Sequence, residues 1–194
     1  MKTDTTIKNK TLISGIIKNV DFNSNILNII RPVAELSVFD PVKKEWVDHI
    51  YIIFSENGDA RRFKGFNIGD VIIVSGETSF ITGVGYVVYV LEYTILYKNK
   101  NVEKASRNKI ILSDGCNQQN FIYIKGRLIY YDEDTNIATI THDIIPSIRG
   151  NLDKKTTFPV KVLNSIFPDC EDCIFQGRFT SHYIEGEMYA INDI

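Results

Sequence analysis

The chain has 194 residues, 44% hydrophobic and 24% charged, with 22 Lys/Arg against 24 Asp/Glu and a formal net charge of −2. That apolar content suffices for two small cores, and the balanced charge excludes a duplex-coating protein that binds by massed phosphate neutralisation. No run approaches the roughly 18 uncharged apolar residues a membrane helix needs. Three unevenly spaced cysteines make no disulfide framework, so a reducing cytoplasm and no membrane association are expected.

Residues 1–10 are polar, lack the apolar centre of a signal peptide and read as a disordered arm. An apolar strand centred on Gly15 spans about 11–22, and the polar stretch 21–25 turns the chain back. Residues 33–39 alternate with period two, placing Ala34, Leu36 and Val38 on one face and Glu35, Ser37 and Phe39 on the other. A charged loop at 40–45 leads to a third strand, 46–54. The segment 55–68 is the one good place for a short helix; it would start near Asn57 or Asp59 and bury Phe63 and Phe66 as a plug. A fourth strand at 69–77 and a long hairpin partner at 86–97 complete a unit over 11–100. The polar, aperiodic stretch 98–107 is the linker.

The same grammar returns over 110–194. A glycine-centred strand at 121–129 continues to a turn cluster at 132–136 and a return strand at 137–140. A third strand, 157–163, contains Pro159, which has no amide hydrogen to donate and so marks an edge or bulge. A glycine-bearing strand at 173–180 and a last strand around 188–191 follow. Strand–Gly–strand at the start, with a Gly-bearing strand and hairpin at the end, outlines a five-stranded Greek-key barrel, the oligonucleotide/oligosaccharide-binding (OB) fold. The expected fold class is all-β: two tandem OB barrels, with one short helix in the first.

Residues 33–39, the loop after them and 46–54 resemble the second and third strands of the single-stranded DNA-binding proteins of bacteria, phages and plasmids. Residues 69–76 are similar to that family's fourth strand, and the likeness is clearest over 11–97. The resemblance implies binding of single strands through the outer face of strands one to three and the loops beside it. That family carries one OB domain and an acidic C-terminal tail. Here a second unit is appended and the sequence ends on a strand, which reads as a divergent mobile-element relative serving plasmid or phage replication or conjugation.

Enzyme motifs are absent: there is no phosphate loop, no Gly-x-Ser-x-Gly elbow and no His-Glu-x-x-His. Cys170 and Cys173 have the spacing of half a zinc site, but Cys116 has no paired cysteine, and zinc takes four ligands. Consecutive carboxylates at Asp132, Glu133 and Asp134 read as a solvated turn. No catalytic residue, metal or cofactor is expected.

The chemistry that remains is aromatic and basic, the pairing that holds single strands by stacking and phosphate contact. The chain has 11 Phe, 10 Tyr and one Trp, most of them expected in barrel cores. Trp46, after Lys43 and Lys44, is either a stacking platform or a core residue. Alternation puts His49 and Tyr51 on the outward face of the third strand, with Trp46, Ile50, Ile52 and Phe54 opposite, unless a bulge reverses them. Phe39 has the outward parity of its strand, Lys18 and Arg31 flank the first hairpin, and Phe80 and Tyr86 edge the last one. In the second unit the comparable residues are Lys125, Arg127, Tyr130 and Tyr131. Sequence-tolerant single-stranded DNA binding is the expected function, with residues 1–104 as the primary contact. RNA binding, a protein-assembly module and a homo-oligomer stay open.

Overall fold

The computed structural model describes residues 9–26, 29–54, 64–99, 118–143, 155–164 and 172–191. Among them lie ten strands and no helix: β1 (Asn9–Ile26), β2 (Ile29–Asp40), β3 (Glu45–Phe54), β4 (Val71–Ile81), β5 (Gly85–Tyr97), β6 (Asn120–Asp132), β7 (Ile137–Asp143), β8 (Lys155–Val162), β9 (Asp172–Phe179) and β10 (Ile184–Ala190).

β1 to β5 close into a barrel. Antiparallel ladders join β1 to β2, β2 to β3, β4 to β5 and β1 to β4, and a short parallel ladder of Tyr51–Phe54 on Val87–Val90 closes the ring. Period-two alternation fills it: Ile13, Ile17, Ala34, Leu36, Val38, Ile52, Ile72, Val74 and Val88 are buried in one cluster. Each fully buried aliphatic side chain contributes about 1.5–3 kcal/mol relative to exposure. The remaining five strands pair in the matching order: β6 with β7, β7 with β8, β8 parallel to β10, β10 with β9, and β9 with β6.

Two glycines show why the grammar repeats. A Cβ on Gly76 of β4 would lie 2.1 Å from the Tyr89 carbonyl oxygen, and one on Gly177 of β9 would lie 2.4 Å from that of Glu185. In each set the fourth strand meets the fifth so closely that only a hydrogen fits.

The strand expected to start at about residue 11 starts at Asn9, whose buried side chain donates to the Thr78 carbonyl at 2.8 Å. Residues 55–63 of the expected helix, with Phe63, lie outside the described residues, whereas 64–70 form turns and irregular backbone. Phe66 is buried as expected and meets Tyr93 edge-on at 5.2 Å. The expected linker begins pinned. Buried Asp70 accepts the Asn99 amide at 2.7 Å, the Asn67 amide at 2.8 Å and the Lys98 ammonium at 2.6 Å. Residues 100–117, with the rest of the linker and Cys116, lie outside the described residues.

The two five-strand sets share one sheet. Asn9–Ile13 of β1 runs antiparallel to Asn120–Ile124 of β6, and the buried cluster runs on from Ile13 and Leu36 to Ile122, Ile124, Phe158, Phe175 and Met188.

Candidate nucleic-acid interface

The outer face of β2 and β3 is set by one bulge. Pairing jumps from Leu36↔Ile50 to Val38↔Val47, so Asp48 and His49 together oppose Ser37. His49 takes φ 64°, a left-handed conformation that one class of bulge uses. The inserted residue reverses the parity of the strand's first half: Val47 points into the barrel with Ile50 and Ile52, and Trp46 turns outward. The expectation that Trp46 shares a face with Ile50 and Ile52 is thereby corrected, while Tyr51 takes its expected outward place. The Phe54 and Arg31 side chains lie outside the described set.

On this face Trp46 is half-buried, packed with Tyr97 against Ile16 and Val71. Its ring meets Phe39 at 5.4 Å and 62° across the β2–β3 pair. Phe39 holds its outward parity but is only 7% exposed, so its ring offers little face to a base. His49 is exposed, with Nδ1 2.9 Å from Glu35 Oε1. Tyr51 is half-buried against a second outer cluster of Val33, Ile53, Ile81, Val87 and Tyr89; burial, then the Glu35 carboxylate, push its hydroxyl up. Lys18 occupies a β1 bulge between Ile17 and Asn19. Lys44 is exposed at φ 56° in the β2–β3 turn.

Other nominated residues lie in the seam between the two sets. Fully buried Asp40 accepts the Val42 amide at 2.9 Å and the Arg178 Nε at 3.1 Å. Glu185 lies 3.8 Å from Arg178 Nη2 and 3.2 Å from Lys43 Nζ, so Lys43 is engaged across the seam. The Tyr86 hydroxyl donates to the Pro159 carbonyl at 2.6 Å and accepts from the Ile184 amide at 3.4 Å. Its ring lies between Phe80 at 5.0 Å and Phe179 at 5.9 Å. Burial pushes its ionisation up to about 12, opposed by the Ile184 amide and aided by Tyr183. Tyr86 therefore joins the two sets, with Phe80 packed against its ring. Pro159 pairs with Thr139 on one side, and the parallel β8–β10 ladder starts only at Val160, as a missing donor requires.

In the second set Ile122 and Ile124 point into the core, so alternation sends Lys125 and Arg127 outward. A bulge between Leu128 and Tyr130 then exchanges the faces of the two tyrosines. Tyr130 is 61% exposed, whereas Tyr131 packs against the core and donates its hydroxyl to Asn136 Oδ1 at 2.7 Å. Sequence reasoning missed Phe121 and Tyr123, which share the outward parity of Lys125; stepping back by twos from Lys125 would have found them. Phe121 is 40% exposed and Tyr123 half-buried.

Cys173 is buried in the core, and Cys170 lies outside the described residues. Among the described residues no three His, Cys, Asp or Glu side chains converge on a metal position. In the acidic turn the Thr135 hydroxyl, with the Asp134 and Thr135 amides, holds Asp132 below the usual carboxylate range. The buried His142 ring places Nδ1 3.3 Å from the Lys125 carbonyl. No described helix is long and apolar enough to cross a membrane.

No protein-family model matches the chain, and no curated protein matches it.

Proposed function

We propose that this chain is a non-enzymatic, sequence-tolerant binder of single-stranded DNA, built as two tandem OB barrels divided near residues 98–110. Its work would be strand protection in the cytoplasm during replication or transfer of a plasmid or phage. The observation that carries the reading is the outward turn of Trp46. The barrel's only tryptophan lies partly buried on the outer β2–β3 face instead of filling the core, with Lys44 in the adjoining turn and Tyr51 further along the same face. Aromatic faces beside local cations suit unpaired bases, and a nearly neutral chain suits a binder that relies on stacking more than on phosphate neutralisation. The five-strand ring, parallel only between β3 and β5, is an OB-like arrangement.

A gel shift comparing single-stranded DNA, duplex and RNA oligomers at two salt concentrations tests it. Retardation of single-stranded DNA at micromolar protein or below, with weak duplex binding, is expected. No shift would favour the rival, a protein-assembly module, which the engagement of Lys43 and Arg178 in internal ion pairs also suits. An equal shift with RNA would make the ligand any single strand.

A further inference from the structure

The geometry points to the seam between the two five-strand sets as the main track for the polynucleotide: the outer face of β6, extended onto the N-terminal end of β1. This inference rests on single-strand binding and adds where the strand runs. It also centres the primary contact on β6 rather than within residues 1–104, where the sequence suggested it lies, with Lys10 and Leu12 as the contribution of β1.

β6 presents Phe121, Tyr123, Lys125 and Arg127 on one face, followed after its bulge by Tyr130. Two residues of strand advance about 6.7 Å, about twice the 3.4 Å rise per nucleotide in a duplex strand. Successive outward positions thus match an extended, unstacked strand, with rings for bases followed by cations for phosphates. The β1–β6 ladder adds two groups from the other set. Lys10 stands directly opposite Tyr123 and Leu12 opposite Phe121, and directly opposed residues of an antiparallel pair share a face. Lys10 is exposed. No continuous stretch of sequence brings Lys10 to Tyr123; only the joining of the two sets does.

The charge favours a polyanion. Lys10, Lys125 and Arg127 lie along the strip, and the acids stand beside it. Asp172 is 4.0 Å from Arg127, and Glu187 lies beyond Gln176, the residue that β9 pairs with Tyr123. The first barrel keeps Trp46, Tyr51 and Lys44 as a secondary contact and otherwise offers less: Phe39 is buried, Lys43 is held by Glu185, and Phe80 and Tyr86 are enclosed between the two sets.

Anisotropy of labelled oligo-dT, titrated with the full chain at two salt concentrations, tests the track. Tyr123→Ala should weaken binding about tenfold or more and Tyr123→Phe should restore it, because stacking needs the ring and not the hydroxyl. Lys10→Gln should weaken binding several-fold and flatten the salt dependence by about 0.7 of a log unit per log unit of salt. Lys10→Gln changes an exposed side chain, so it decides the matter even where Tyr123→Ala fails to fold. If wild-type protein does not bind oligo-dT, the functional reading itself fails. If it binds and Lys10→Gln and a folded Tyr123→Ala bind equally well, single-strand binding stands and the seam track is overturned.

Discussion

Tyr86 shows how one side chain can be drawn from a surface role into an internal one. Its hydroxyl bonds both the Pro159 carbonyl and the Ile184 amide, so Tyr86→Phe should remove that link from the seam and cost about 0.5–1.5 kcal/mol of stability in urea unfolding. The hydroxyl also gives a signature in alkali. Its folded ionisation is pushed from 10.0 to about 12, so the native state keeps a proton that the unfolded chain has released. The contribution is complete below pH about 10 and is lost as pH rises through about 12. Unfolding free energy should therefore fall more steeply over that window in wild type than in Tyr86→Phe; parallel slopes would place the titration elsewhere. Trp46 makes a second test. Added oligo-dT should quench its fluorescence, and Trp46→Ala should reduce affinity by about 1–3 kcal/mol. The half-buried ring should cost less folding stability than the roughly 3–5 kcal/mol of a core aromatic. Loss of stability with unchanged affinity would make its role purely structural.

At the scale of the strands, the legible features were those the backbone period dictates. Ala34, Leu36 and Val38 could be assigned inward because no irregularity interrupts them. Trp46 could not, because the insertion at Asp48–His49 falls on residues without the usual glycine mark, and one extra residue exchanges the faces. Tyr130 and Tyr131 were inseparable for the same reason, a bulge hidden inside an apolar run. The glycines were legible as a repeat although the carbonyls they admit were not. Gly76→Ala should push a methyl into the Tyr89 carbonyl and destabilise by about 1–3 kcal/mol or more, and Gly177→Ala should do the same against Glu185. Urea midpoints unchanged in both would mean that the paired strands part without strain.

For the whole molecule, the seam was illegible because its partners are remote in sequence. Arg178 and Asp40 are separated by 138 residues, and nothing local marks Asn9–Ile13 as the mate of Asn120–Ile124. Two independent units joined by a linker would unfold separately. A shared sheet, a continuous buried cluster and a buried carboxylate–guanidinium pair favour a single transition. Urea unfolding followed by Trp46 fluorescence and by far-ultraviolet circular dichroism should give coincident curves. Arg178→Leu, which takes the cation from the buried Asp40 carboxylate and leaves it only the Val42 and Lys43 amides, should shift both together by up to about 3–5 kcal/mol. Two separated transitions would show that the seam is an adhesion between autonomous parts. By the same logic a fragment ending near residue 104 should self-associate on size exclusion, since it uncovers Phe80, Tyr86 and the β1 edge.

That β1 edge also bears on synthesis. The strands of the β1–β5 barrel have all been made once Tyr97 is added, yet the first residues of β1 find their second neighbour only when Asn120–Ile124 arrives. At a translation rate of about 5–20 residues per second, the nascent chain carries an open strand margin for on the order of seconds. The Ser14–Gln119 bonds, made between residues 105 apart, belong to the slow, non-local pairings that form late. A ribosome pause within 98–119 would lengthen this interval, and the yield of correctly joined protein should depend on codon speed there more than anywhere else in the chain.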